Sequence, residues 1–149
     1  MDKKWIWGSY TNGYVGLYSP PEGFYGFVYM IEFENGNRYI GKKAFFSKRK
    51  RNFGKKEIEK LTDKRLKKYE IVTKESNWQT YTSSNPFVNS RIKNGEDYQK
   101  YIICFAKDKK HLSYLEEYEL HKRHVLWDDV YLNDNIAGRY FKKDTEKWV

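Results

Sequence analysis

The sequence is poor in the residues that build metal clusters and covalent cross-links. Its 149 residues include one cysteine and three histidines, so an internal disulfide and a zinc site of four cysteines are excluded. No apolar run approaches membrane-spanning length, and the first residues lack the apolar core of a secretory signal. We therefore expect an intracellular, cytoplasmic protein with no membrane-spanning segment.

Acidic residues are scarce in one part of the chain. Lysine and arginine total 29 and aspartate and glutamate total 20, which gives a net charge of +9. Residues 42–68 hold 13 of the basic residues and three of the acidic ones, whereas the rest of the chain is nearly neutral. A localised cationic segment favours a polyanionic partner, most often nucleic acid and second an anionic membrane surface. Charge alone does not distinguish this function from a solvated helix face.

Aromatic residues, by contrast, are abundant. Five tryptophans, 14 tyrosines and nine phenylalanines are too many for a disordered basic tail, so the chain should fold. Residues 1–24 are rich in glycine, tyrosine and tryptophan and predict an irregular, aromatic N-terminal arm. Residues 25–149 are expected to form a single domain that carries the basic segment, residues 42–68, as an insert.

Three strands are predicted. The β-prone residues 25–33 and 38–41 flank Asn35-Gly36, a strong signal for an antiparallel hairpin. Residues 98–106 predict a third, central strand, because residues 102–105 are continuously apolar.

Helices are predicted on both sides of the third strand. The first covers residues 84–94, with Ser84 or Asn85 as its N-cap; Ser83-Ser84 is better explained by this cap than as a nucleophile. The second covers residues 108–124. The basic segment predicts a poorly buried helix or an ordered loop, because its apolar stripe is thin. The fold class is therefore α/β, with a small, mainly antiparallel three-stranded sheet flanked by helices.

Five short motifs, in order along the chain, resemble the GIY-YIG nuclease family, and in particular its phage-borne, homing-type (Seg-like) members. They are Gly26-Phe27-Val28-Tyr29, Tyr39-Ile40-Gly41 with Arg49 eight residues later, the tryptophan-containing residues 76–84, Leu112-Ser113-Tyr114-Leu115-Glu116, and Tyr131-Leu132-Asn133. The resemblance covers about residues 24–139. The first motif alone is weak evidence, but five motifs in this order and at usable spacings are specific.

The resemblance implies a metal-dependent endonuclease that hydrolyses the phosphodiester bonds of DNA. Glu116 would hold one divalent cation, Mg²⁺ or Mn²⁺, because a lone carboxylate is a typical protein ligand for Mg²⁺. Arg49, which the family places at the start of a helix, would contact the scissile phosphate. Tyr39 would accept a proton from the attacking water or orient it. Tyr29 would hydrogen-bond beside Tyr39, and Asn133 would brace the site.

A base role for Tyr39 requires nearby cations, because the reference pKa of a phenol is about 10. Lys42, Lys43 and Arg49 are the local candidates for lowering it. Phe53 stands where several relatives carry histidine or another polar residue, and Lys43 is predicted to substitute as the second proton-transfer residue.

Two assignments stay open from the sequence. Glu116 is preferred as the metal ligand because Leu112 and Leu120 lie one helical turn on either side of it, and Glu119 is the fallback. The role of Arg49 could instead belong to Arg51.

The two tyrosines constrain the hairpin. With a two-residue loop at Asn35-Gly36, Tyr29 and Tyr39 would face opposite sides of the sheet, because side chains alternate along a strand. They share one side only if the loop has an odd number of residues, such as residues 35–37, or if a strand contains a bulge. We predict one of these two arrangements.

The leading prediction is a DNA endonuclease of homing-type ancestry. Its expected partner is DNA, with no membrane partner and no small-molecule cofactor. A homodimer is one option for its assembly. If it is phage-encoded, its location is the host cytoplasm. The residues expected to follow the DNA backbone are Lys42, Lys48, Arg51, Lys55, Lys56, Lys60, Lys64, Arg65, Lys67 and Lys68. The alternative is a non-catalytic nucleic-acid-binding module on a decayed nuclease fold, because aromatic residues among basic ones also suit single-stranded binding.

Overall fold

A five-stranded mixed sheet organises the chain in the computed structural model, which describes residues 3–63 and 65–149. The strands are β1 (Trp5–Ser9), β2 (Gly13–Gly16), β3 (Gly26–Phe33), β4 (Arg38–Ala44), β5 (Phe46–Asn52), β6 (Tyr69–Glu75), β7 (Tyr98–Ala106), β8 (Asn135–Ile136) and β9 (Tyr140–Phe141). The helices are α1 (Lys55–Glu59), α2 (Pro86–Lys93), α3 (Lys109–Lys122) and a 3₁₀ helix, Lys142–Trp148.

The main sheet is larger than the sequence predicts. Its strand order is β2-β1-β7-β3-β4, with β7 in the central position as expected. The predicted three antiparallel strands, β3, β4 and β7, are present. The N-terminal hairpin β1–β2 extends them, with β1 parallel to β7, so the sheet is mixed rather than three-stranded.

The N-terminal hairpin is anchored by one buried indole. Trp5 is 1% exposed, and its Nε1 donates a hydrogen bond of 2.6 Å to the carbonyl of Trp78. This contact explains why residues 5–16 form strands of the sheet instead of the predicted irregular arm. Division of the chain into an arm at residues 1–24 and a domain at residues 25–149 stays a prediction.

Each face of the sheet is covered by a different helix. Phe27, Tyr29 and Ile31 pack on the face that carries Trp78 and the α2 residue Val88. The opposite face, with Val28 and Ile40, packs against Leu112 and Leu120 of α3. Strand β4 lies at the edge of the sheet, where side chains from both layers can meet.

The connection between β3 and β4 has an odd number of residues, as predicted. The Phe33 N–H donates to the Asn37 carbonyl, and the Gly36 N–H donates to the Phe33 carbonyl, both at 2.8 Å. Gly36 has a φ of +93°, which glycine adopts without strain. The loop is therefore residues 34–36, one residue earlier than suggested. Its register pairs Tyr29 with Gly41 and Ile31 with Tyr39, so both tyrosines lie on one side of the sheet.

The two predicted helices are confirmed, and each begins at a side-chain N-cap. Asn85 caps α2 by accepting from the N–H groups of Phe87 and Val88 at 2.8 and 3.1 Å. Asp108 caps α3 by accepting from the N–H of His111 at 2.7 Å.

Within the basic segment only the short, poorly buried helix α1 matches the helix or loop that the sequence predicts. Residues 46–75, which we call the basic arm, fold as an antiparallel ribbon of β5 and β6, with the short helix α1 near its tip. The rest of that prediction was wrong because the partner strand, with its β-branched Ile71, Val72 and Thr73, lies beyond the basic segment itself.

Candidate active site

The site is built around the tyrosine pair of β3 and β4. Tyr29 is 2% exposed, and its ring centroid lies 6.4 Å from that of Tyr39. The phenol of Tyr29 lies directly over Gly41, where an added Cβ would come within 2.5 Å of Tyr29 Cζ. The glycine of Tyr39-Ile40-Gly41 is therefore required by the close approach of the first tyrosine.

The segment before α2 closes this site from one face of the sheet. Ser83 is 6% exposed and has a φ of +93°, a conformation that a non-glycine residue rarely adopts. Its carbonyl accepts from Asn89 Nδ2 at 2.8 Å, and its Oγ accepts from the Asn85 N–H at 2.9 Å. Tyr81 is edge-on to Tyr29, with a centroid separation of 6.1 Å.

Sequence reasoning missed these contributions. It offered Ser84 or Asn85 as the N-cap and explained Ser83-Ser84 by that cap, and the structure has Asn85 as the cap. The Ser83 hydroxyl instead interacts with Tyr29 and Tyr39. The resemblance of residues 76–84 to the family segment was the available signal.

Glu116 reaches the same site from α3, on the other face of the sheet. Its side chain is 20% exposed, and its nearest cation is Lys42 Nζ at 4.0 Å. Lys42 Nζ donates a shorter hydrogen bond, 2.9 Å, to Ser113 Oγ. Burial raises the pKa of the Glu116 carboxyl, and Lys42 opposes that rise. The carboxylate opens on a cleft of about 190 Å³ that Tyr39, Asn85 and Asn133 also line.

The neighbouring glutamates are placed differently. Glu119 is 7% exposed and is paired with Arg123 of its own helix, with Oε2 and Nε 3.0 Å apart. Glu117 is exposed to solvent. The geometry therefore favours Glu116 over Glu119 as the carboxylate beside the tyrosines.

Asn133 holds the edge strand in place. Its Oδ1 accepts from the Ile40 N–H at 3.0 Å, and its Nδ2 donates to the Ile40 carbonyl at 2.8 Å. The amide thus replaces a missing neighbouring strand between Tyr39 and Gly41. Asn133 is 5% exposed and Ile40 is 1% exposed, so these hydrogen bonds are buried.

Tyr39 has a raised pKa, not a lowered one. Burial is the largest cause, the hydrogen bond to Ser83 opposes it, and the charge of Glu116 adds to the rise. The pKa of Tyr29 is also raised, chiefly by burial and next by Tyr39. The expectation that Lys42, Lys43 and Arg49 lower the pKa of Tyr39 is not met in this structure. The arrangement favours a phenol that orients water over a phenolate base.

Lys43 and Arg49 lie in a neighbouring groove. Lys43 Nζ is 4.1 Å from the ring centroid of Tyr81, and burial lowers the pKa of this amine. Arg49 lies in the middle of β5, opposite Val72, and is exposed. Its predicted position at the start of a helix is therefore wrong. The groove, of about 580 Å³, is lined by cations at Lys43, Lys48, Arg49 and Lys74.

Arg49 and Arg51 also differ in their partners. Arg51 is held by two carboxylates, with Nε 2.6 Å from Glu70 and Nη2 2.8 Å from Glu57. Within the part of the chain that the structure describes, Arg49 has no ion pair. Arg49 is therefore the arginine whose guanidinium is available to a phosphate.

Most of the predicted backbone-following cations are exposed on the basic arm. Lys42 is the exception, because it lies beside Glu116, and Arg65 pairs with Asp63 at 3.2 Å. Lys64 lies outside the described residues. The predicted cations that are exposed are Lys42, Lys48, Arg51, Lys55, Lys56, Lys60, Arg65, Lys67 and Lys68.

A family model matches most of the chain. The family model described as "Putative endonuclease segE, GIY-YIG domain" matches residues 10–136. The chain therefore belongs to the Seg-like GIY-YIG endonuclease family, for which DNA is the implied substrate. No curated protein and no solved structure matches the chain. Among the described residues, no helix has the length and apolar character needed to cross a membrane.

Proposed function

We propose that the protein is a metal-dependent DNA endonuclease and that its active site is the cleft at strand β4. The observation that carries the proposal is the placement of the Glu116 carboxylate, from α3, beside Tyr29 and Tyr39 at the edge of the sheet. Two strands of the sheet and one helix thus bring these groups together, which a purely structural arrangement would not require.

The donor set fits a hard divalent cation. Among the described residues, no three histidine, cysteine, aspartate or glutamate side chains cluster, which argues against zinc. Mg²⁺ takes one or two carboxylates, keeps several waters and accepts phosphate oxygens. Glu116 would hold Mg²⁺ or Mn²⁺, and a cation there would relieve the burial of a carboxylate whose nearest positive charge is 4.0 Å away. When bound, the cation would stabilise negative charge on the phosphoryl and leaving oxygens.

The chain's own residues would act around the scissile phosphate. Tyr39, supported by Tyr29 and Ser83, would orient the attacking water through its phenol. Arg49 would bind the phosphate through its fork of donors. Lys43, whose pKa is lowered by burial, would be the second proton-transfer group. Asn133 would hold the edge strand that carries Tyr39.

The cations of the basic arm would supply affinity for the DNA backbone. Each phosphate that a lysine neutralises adds about 0.9 to the slope of log affinity against log salt. Replacing Lys55, Lys56, Lys60 and Lys67 with glutamine should flatten that slope and weaken binding at low salt. An unchanged slope would show that these lysines form a solvated surface only. The resemblance to phage-borne homing-type members supports a phage origin and homing-endonuclease ancestry.

The test is cleavage of supercoiled plasmid with Mg²⁺, with Mn²⁺ and with EDTA. Glu116→Gln should slow cleavage by at least about 100-fold, since a metal centre contributes several kcal/mol to such reactions. DNA binding, measured by fluorescence anisotropy, should be retained. Glu117→Gln is the matched control, because Glu117 is the exposed neighbour on the same helix.

Two results would contradict the proposal. Cleavage that survives both EDTA and Glu116→Gln would exclude the metal-dependent mechanism. DNA binding without cleavage under any metal condition would favour the non-catalytic binding module.

A further inference from the structure

The basic arm stands away from the rest of the fold as a bare two-stranded ribbon. In β5 and β6 every residue is exposed except Phe46 and Tyr69, which are partly buried. An isolated two-stranded ribbon is only marginally stable in water. The ribbon is nevertheless anchored at its base, where the Ser76 N–H donates to the carbonyl of the buried Phe45 at 2.8 Å.

Both faces of the ribbon are therefore accessible, and they carry different side chains. Ser47 lies opposite Lys74, and Arg49 lies opposite Val72. Because side chains alternate, these four share one face, and all four line the groove that also contains Lys43. We call this the groove face. Ile71, the neighbour of Val72, points to the other face.

Both faces of the ribbon combine cations with an apolar group, since Ile71 lies opposite Lys50 on the other face. The groove that contains Lys43, however, is lined by Val72 and not by Ile71. Val72 is 38% exposed between Arg49 and Lys74, and its side chain has no core to pack against. Contact with phosphates alone would use only the cations. Contact with base edges in the major groove also uses apolar groups, which pack on the thymine methyl.

We propose that the β5–β6 ribbon lies in the major groove of duplex DNA, with Val72 and Lys74 of the groove face toward the base edges and Arg49 toward the phosphate backbone. This inference rests on the proposed endonuclease function and adds to it the element that reads sequence. A two-stranded ribbon fits a major groove about 12 Å wide, and β-ribbons read DNA in this way. The net positive charge of the basic arm suits binding in this groove, since residues 46–75 contain 12 basic and five acidic residues.

The length of β5 sets how many base pairs the ribbon can contact. Strand β5 has seven residues, which span about 23 Å at roughly 3.3 Å per residue. That length matches about seven base pairs at roughly 3.4 Å each. The ribbon begins directly after Lys43 and Phe45, so its contacts should lie on one side of the cleaved bond and within about seven base pairs of it.

The test is base-analogue interference in DNA binding. Duplexes carry random uracil for thymine, which removes the major-groove methyl, or 7-deazaguanine for guanine, which removes the N7 acceptor. Glu116→Gln protein is used so that bound DNA stays intact, and bound and free fractions are sequenced. Cleavage by the wild-type protein gives the position of the cut.

We expect major-groove analogues to reduce binding within about seven base pairs on one side of the cut. The loss per thymine methyl should be about fourfold, the value of one buried methyl group. Adding Val72→Ala should abolish the uracil effect, whereas Ile71→Ala, on the opposite face, should leave it intact.

Three outcomes separate this inference from the proposed function. The major-groove assignment would be overturned, while cleavage stands, if neither analogue interferes with binding. It would also be overturned if Val72→Ala and Ile71→Ala change the uracil effect equally. Interference without cleavage by the wild-type protein would overturn the endonuclease function and retain the ribbon's role. Absence of duplex binding would overturn the ribbon's role.

Discussion

Gly41→Ala is the most direct perturbation of the tyrosine pair. The added Cβ would come within 2.5 Å of Tyr29 Cζ and 3.0 Å of its Cε2, closer than real Cβ atoms approach a ring carbon. Tyr29 cannot move away freely, because its ring lies 5.0 Å from that of the buried Trp5. The substitution must therefore displace either a buried aromatic ring or the edge strand.

The expected cost follows from this overpacking. Inserting a methyl group into a filled core destabilises a protein by about 1–3 kcal/mol. For a chain of this size, a loss of about 2 kcal/mol lowers the Tm by roughly 4–8 °C. Cleavage should fall further than folding does, because the displaced phenol no longer supports Tyr39.

Thermal unfolding of four variants measures the effect. In a Tyr29→Ala background the clash is absent, so Gly41→Ala should cost almost nothing there, and the coupling energy should equal most of the single-variant penalty. Gly54→Ala is the matched control, since its Cβ would meet only Glu57 Oε1 at 3.7 Å. An unchanged Tm for Gly41→Ala, or the same loss in both backgrounds, would refute the packing of Tyr29 on Gly41.

Two further predictions concern the edge strand. Asn133→Ala leaves the N–H and carbonyl of Ile40 without partners, which should lower the free energy of unfolding by about 1–3 kcal/mol per buried group. Urea unfolding should therefore show a lowered midpoint. A midpoint equal to that of the wild type would contradict the bracing role. Because burial raises the pKa of Tyr39, its phenol stays protonated to higher pH than an exposed tyrosine. Wild-type cleavage between about pH 6 and 9 should therefore show no rising limb due to a tyrosine, and a limb that disappears in Tyr39→Phe would refute the orienting role.

Local signals in the sequence were sufficient for the helices and the central hairpin. Asn85 and Asp108 cap α2 and α3 through contacts within three residues, so neighbouring residues identify both helix starts. The odd β3–β4 loop was predicted from one requirement, that Tyr29 and Tyr39 share a face of the sheet.

Features that depend on distant partners were not predicted. Strand β1 is held by the contact of Trp5 with Trp78, and β5 pairs with a strand that begins 17 residues after β5 ends. Periodicity within a short window does not reveal such partners. Charge repulsion among the consecutive cations of β5 also argues, from the sequence, against predicting a strand there. Once the ribbon forms, however, Arg51 is neutralised by Glu57 and Glu70.

Only the parts of the candidate site that depend on local sequence were predictable. Glu116 was suggested by the family resemblance and was preferred over Glu119 because Leu112 and Leu120 lie one helical turn on either side of it on the buried side of α3. Ser83 did not follow, since its left-handed backbone and its position beside the tyrosines arise only when the segment before α2 packs on β3. Arg49 was found by spacing, but its strand conformation depends on the distant partner Val72.

The edge position of β4 connects the site with the basic arm. A central strand would have both backbone edges paired, whereas β4 leaves one edge for Asn133 and the cleft. The same chain continues through the buried Phe45 into β5, and Ser76 Oγ donates to the Ala44 carbonyl at 2.6 Å where β6 returns. These contacts attach the base of the ribbon to the end of the strand that carries Tyr39. DNA bound along the ribbon would therefore present one phosphate to Glu116 and Tyr39, and the site of cleavage would depend on where the ribbon binds.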